Sequence, residues 1–254
     1  MNQAISLRLK KHASEFRSKC GITSNELIPL RSILNKMDIV AVFRPLNESL
    51  SGMAIKIGND EKNEAARFIL VDTSQAIGRQ NFTICHEIYH LYYQNNFVSA
   101  IDKTGLFDNS NKEEYNADIF ASFLLLPEDG IREMIPDAEL KKNTITLKTI
   151  LKIEQYFRCS RTVLLRRLKA IGVIDNNYFD LYKANVIRGA IEYGYDISLY
   201  QPDNRSYVIS NYGEFARDAF EKDLISESHY YSLLHDLGIN IQKIGANGQD
   251  NEEY

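Results

Sequence analysis

Residues His86-Glu87-Ile88-Tyr89-His90 place two imidazoles four positions apart, with a carboxylate directly after the first. On an α-helix His90 falls one turn along from His86 and only about 40° around the axis, so both rings leave the same face with room for a metal ion between them. Glu87 lies about 100° from His86 and about 60° from His90. It can flank a metal without ligating it, which is where a general base must stand to take a proton from a metal-activated water. Ile84, Ile88 and Leu91 form the opposite, apolar arc that would hold the helix in a core. Cys85 is rotated off the histidine face and reads as a small buried hydrophobe, not a ligand.

A catalytic zinc takes three protein ligands and keeps a fourth position open. Twenty-four residues after His90 stands Glu114, with Asp118 four further on and the small residues Ala117 and Ala121 nearby. The small residues let a second helix approach the first. Glu114 is then the third ligand, and Asp118 accepts the other ring N–H of a ligand histidine and fixes its tautomer. Glu113 is a rival for the third ligand, but it is rotated off the face shared with Asp118. Ile119, Phe120, Phe123, Leu124 and Leu126 make this helix apolar over most of its circumference, so its carboxylates need a partner, and a dication held by His86 and His90 supplies one.

The elements that must position these groups follow from periodicity. Helical patterns span about 6–17 and 26–36, then strand-like runs cover Asp38–Phe43, Met53–Ile57 and Phe68–Asp72. The motif helix covers about 79–94. A polar loop containing Thr104-Gly105 and Asp108–Asn111 leads to the second ligand helix, 112–126, which Pro127 ends. The expected class is α+β: a small three-stranded antiparallel sheet packed with the H-E-x-x-H helix and the ligand helix, followed by mainly helical regions. Residues 1–128 form the expected metallopeptidase-like core and 129–175 a helix-turn-helix-like region, from the pair 146–156 and 161–170 with Ser160 capping the second helix. Residues 176–254 form a mainly helical extension with helices near 178–193, 212–220 and 226–237, a short hairpin near 200–210, and a polar end at 245–254.

The chain has 254 residues, 44% hydrophobic and 25% charged, which excludes a disordered or fibrous protein. A net charge of −4 gives no overall field for nucleic acid or anionic lipid. The one local exception is Arg158, Arg161, Arg166, Arg167 and Lys169, which could contact DNA or dock a partner; a solvated helix face explains them more simply. Three cysteines fit a reducing compartment, no secretion signal is visible, and the longest apolar run, 119–126, is too short to span a bilayer, so a cytoplasmic location is expected.

The stretch Gly78-Arg79, Asn81-Phe82-Thr83, His86-Glu87 and His90, then Glu114, Ala117-Asp118, Phe120-Ala121 and Leu124-Leu125-Leu126-Pro127, resembles the ImmA/IrrE metallopeptidases. Ser51–Ala54, Phe68–Leu70, and Tyr156–Ser160 with Leu164–Leu168 extend the likeness over about 25–175. The resemblance implies a Zn2+-dependent endopeptidase of gluzincin type that cleaves a partner regulator. That partner would be a helix-turn-helix repressor or an antitoxin, in mobile-element, stress-response or toxin–antitoxin settings. Tyr89, where the family often has a small residue, is expected with Tyr92 and Tyr93 to narrow the cleft. An extended substrate is expected to add to an edge strand. His229 and His235 are chemically suitable to stabilise an oxyanion, although surface positions suit them as well. The competing readings are a DNA-binding regulator acting through 146–170 and a zinc-stabilised interaction module that binds without cutting.

Overall fold

The computed structural model describes residues 3–46, 50–58, 65–95, 97, 99–103 and 112–236. The loop expected at 104–111 and the polar end at 245–254 lie outside them. Among the described residues no helix is long and apolar enough to cross a membrane.

The chain opens with α1 (Gln3–Cys20), which buries Leu9, Ala13, Phe16 and Cys20 at helical spacing. The second helix, α2 (Leu30–Lys36), starts four residues later than its periodicity suggests. Glu26 is instead spent in a turn, where it accepts from the Thr23 amide at 2.8 Å, and Pro29 caps the helix.

Strands β1 (Ile39–Arg44), β2 (Leu50–Ile57) and β3 (Ala66–Asp72) follow, and β1 alternates buried Ile39, Ala41 and Phe43 with more open residues. The sheet is neither three-stranded nor purely antiparallel. Its order is β4-β2-β3-β1-β5, with β4 at Ser99–Lys103 and a short β5 at Tyr207–Ile209. Strand β2 runs antiparallel to β3, but β1 lies parallel to β3, with Ala41 opposite Ile69. Alternation fixes which face a strand buries and carries no information on which neighbour it chooses, so the mixed order is invisible in periodicity. The expected hairpin near 200–210 is likewise replaced by β5, which pairs antiparallel with β1, Val42 opposite Val208.

Helix α3 (Ile77–Tyr92) lies across this sheet and is buried almost throughout. Helix α4 (Lys112–Leu125) packs against both α3 and α1, with Ala117 and Ala121 fully buried. Two glycines mark close approaches around α3. A Cβ on Gly52 of β2 would stand 2.4 Å from Cγ2 of Thr83 and 3.1 Å from Oε1 of Glu87, both on α3. One on Gly78 would stand 2.8 Å from the Ser160 amide nitrogen, so the start of α3 rests directly on backbone further along the chain.

That backbone is the turn between α6 (Leu147–Phe157) and α7 (Arg161–Ala170), which follow the short α5 (Glu128–Met134). Ser160 caps α7 by accepting from the Val163 amide, and Arg158 turns the chain in a left-handed conformation, φ 52°. The single helix expected over 178–193 is two, α8 (Asn176–Tyr182) and α9 (Val186–Glu192), because Asn185 between them is also left-handed, φ 54°. Helices α10 (Tyr212–Glu221) and α11 (Glu227–Asp236) end the described chain and pack on each other.

Candidate metal centre

Helix α3 carries His86, Glu87 and His90, and the first turn of α4 carries Glu114. Three of these can aim one ligand atom at a common point: the donor atoms of His86, His90 and Glu114 all lie within 4.8 Å of one another. Nε2 of His86 is 3.0 Å from Nε2 of His90 and 3.0 Å from Oε2 of Glu114, and Nε2 of His90 is 3.5 Å from Oε1 of Glu114. Ligand atoms about 2.0–2.2 Å from a tetrahedral ion stand about 3.3–3.6 Å apart, so these spacings fit a zinc-sized cation after movements of a few tenths of an ångström. Two imidazoles and a carboxylate are also a donor set suited to zinc.

Behind the donors, each imidazole is held from its other nitrogen. Nδ1 of His86 lies 2.9 Å from Oδ1 of Asp118, one turn along α4 from Glu114. Nδ1 of His90 is held by the side-chain oxygen of Gln94. Where Nδ1 donates in each ring, Nε2 is left as the acceptor a metal needs, while an Nε2 that still carries its hydrogen donates to Glu114 instead. Burial alone would raise the Glu114 carboxyl, but the hydrogen bonds and charge of His86 and His90 outweigh it and hold it at about 2. The carboxylate is thus anionic at neutral pH, as a metal ligand must be.

Glu87 is fully buried on the side of α3 that faces Gly52. Because Gly52 has no side chain, β2 can pass within contact distance of the carboxylate. Glu113, the rival ligand, accepts from the Tyr89 hydroxyl at 2.8 Å and is not part of the donor group. Of Tyr89, Tyr92 and Tyr93, the first and last line a cavity of about 490 Å³ together with Gln94 and Glu113. The three hydroxyls are bonded to Glu113, to the Met37 carbonyl and to the His12 carbonyl, and the rings pack into the body of the protein.

Other expected residues are placed differently. Cys85 is fully buried, and desolvation pushes its thiol up to about 12, which suits an inert core residue. His229 and His235 are exposed on α11 and are not among the converging ligands. The basic cluster is divided by the fold. Arg161 is buried and paired with buried Glu154, while also donating to the Tyr182 carbonyl at 3.0 Å. Arg167 is buried against the Phe123 ring and donates to the Leu126 carbonyl at 3.0 Å. Only Arg158, Arg166 and Lys169 are exposed, so the five do not form one basic face.

Sequence reading missed Gln94 and Gly52. Gln94 stands four residues after His90, so helical spacing alone could have nominated it. The role of Gly52 depends on a contact between β2 and α3 that spacing does not reveal.

No curated protein matches the chain. The Peptidase_M78 family, described as the IrrE N-terminal-like domain, matches residues 35–169, which include all the metal-site residues and more than half of the chain. The chain belongs to this family of IrrE-like metallopeptidase domains.

Proposed function

We propose that the protein is a zinc-dependent endopeptidase that cleaves a partner regulatory protein, a helix-turn-helix repressor or an antitoxin. The observation that carries this reading is the convergence of His86, His90 and Glu114, with Asp118 orienting His86 and Glu87 one residue from the first ligand. A bound zinc supplies a Lewis acid that polarises the scissile carbonyl and makes water nucleophilic at neutral pH. Glu87 takes a proton from the attacking water as its oxygen bonds to the carbonyl carbon. It delivers that proton to the amide nitrogen as the C–N bond breaks. His86, His90 and Glu114 hold the ion, and Asp118 and Gln94 keep the two imidazoles in the ligating tautomer.

An extended substrate fits along β4. This strand is one edge of the sheet and pairs with β2 so that Asp102 stands opposite Gly52, the residue against Glu87. Backbone pairing to such an edge presents a peptide in the regular, extended form that a protease requires. The net negative charge and the divided arginine cluster favour a protein substrate over nucleic acid.

The test incubates the protein with a candidate helix-turn-helix regulator. Wild-type protein with zinc should cut it, while Glu87→Gln should bind zinc equally and leave it intact. Cleavage by Glu87→Gln at the wild-type rate would remove Glu87 as the base. Stable binding of the regulator without cleavage by the zinc-loaded wild type would favour the interaction-module reading instead.

A further inference from the structure

A second site lies at the far end of α4 from Glu114. Helix α1, the start of α5 and the Arg167 side chain of α7 enclose a cavity of about 310 Å³. Its wall holds two buried guanidinium groups, Arg17 and Arg167, 3% and 4% exposed. Buried charges are normally met by an opposite charge. Among the described residues, neither of these has a carboxylate within ion-pair distance.

The two arginines are satisfied to different degrees. Arg17 donates to the carbonyls of Thr23, Glu26 and Leu124, so its fork is used up within the fold. Arg167 donates only through Nε, to the Leu126 carbonyl. Capping the end of α4 therefore explains Arg17 and one N–H of Arg167. The two Nη groups of Arg167 make no hydrogen bond to the described residues and are not sealed in protein but reach the cavity. Desolvation draws this guanidinium down to about 10, only partly offset by the charge of nearby Glu128, and its face rests on the Phe123 ring at 4.6 Å.

The rest of the wall is suited to an anion. Lys10, Ser14 and Ser18 recur every four residues on α1 and line the same side of the cavity. Two acids, Glu128 and Asp129, also line it; Lys10 at 3.5 Å and Arg132 at 2.9 Å already engage the Glu128 carboxylate, and Asp129 is exposed to solvent. The volume lies at the small end of ligand sites, too little for a large cofactor. A planar guanidinium fork matches two oxygens of a carboxylate or phosphate.

We propose that this cavity binds a small oxyanion, a carboxylate or a phosphate monoester, gripped by the Nη fork of Arg167 with Lys10, Ser14 and Ser18 at its mouth. Occupancy ties α7 to α1 and to the end of the helix that carries Glu114 and Asp118. The site is independent of the proposed peptidase activity.

The full-length chain, with and without zinc, should be titrated with inorganic phosphate, glycerol 3-phosphate, succinate and chloride at matched ionic strength, following Tm and binding heat. The expected result is saturable, single-site binding by phosphates or by succinate, equal in both zinc states and at least tenfold stronger than chloride. A response to phosphates alone assigns the phosphate source, and one to succinate alone the carboxylate. Arg167→Gln should lose the response. Because that variant can fail to fold, two α1 variants accompany it. Lys10→Ala should weaken binding several-fold. Ser14→Asp, which places a carboxylate at the mouth, should raise Tm without added anion and abolish the response. Anions that act no more strongly than chloride, or an undiminished response in Lys10→Ala and Ser14→Asp, would overturn the proposal.

Discussion

Nδ1 of His86 lies 2.9 Å from Oδ1 of Asp118, across the interface between α3 and α4, with both side chains almost fully buried. The contact joins the two helices that supply the metal ligands and decides which nitrogen of His86 faces the metal. A carboxylate in this position also raises the basicity of the ring it holds. Asp118→Ala should therefore weaken metal binding by about 10–100-fold, with Asp118→Asn, which keeps an acceptor oxygen, falling between. Competition against a chelator of known affinity measures this. Wild-type affinity in Asp118→Ala would show that the ring is oriented by something else.

Gly52 of β2 presses directly on Thr83 of the motif helix. A methyl group at residue 52 would lie 2.4 Å from Cγ2 of Thr83 and 3.1 Å from Glu87, so Gly52→Ala must push β2 off α3. Overpacking of this kind costs about 1–3 kcal/mol, which urea unfolding can read. Thr83→Ser removes the methyl in the way. The double variant should recover much of the loss, and a double variant as unstable as the single one would place the strain elsewhere.

What the sequence reveals and hides follows from the range of each interaction. The ligating histidines and Glu87 share one helical turn, and Glu114 and Asp118 share another, so spacing alone lays out both halves of the centre. That the halves face each other follows from small Ala117 and Ala121 on an apolar helix. The parallel pairing of β1 with β3 leaves no such trace, since each strand reads the same beside either neighbour. Three-residue β5 is too short to have a period. Arg161 and Arg167 look like solvated charges in sequence because nothing local shows that the chain folds Glu154 and the Phe123 ring over them.

The Glu154–Arg161 pair gives the clearest stability test of that divided cluster. Both side chains are shielded from solvent, and the Tyr200 hydroxyl donates to Glu154 at 2.8 Å, which binds the C-terminal segment to the pair. Arg161→Met should cost about 3–5 kcal/mol by stranding a buried carboxylate, and Glu154→Leu combined with it should recover most of this. Equilibrium denaturation of the two variants decides the matter. Equal loss in single and double variants would mean that packing, not charge, is what Arg161 supplies.

Asp175 couples the start of α8 to pH. Its carboxylate accepts from the Tyr178 amide at 3.1 Å and from the Asn143 side chain at 2.7 Å. These bonds, the Tyr178 amide foremost, hold it below the usual carboxylate range. An acid whose folded value is depressed stabilises the fold above its unfolded value, and that contribution fades as pH falls through the unfolded and then the folded value. Asp175→Ala should therefore lower Tm most at neutral pH, and the gap to wild type should close on acidification below about pH 4. Asp175→Asn keeps an acceptor for the helix end without the charge, so its Tm should vary less with pH than wild type. A gap between wild type and Asp175→Ala that stays constant from pH 7 to pH 3 would show that the ionised form gains nothing from these bonds.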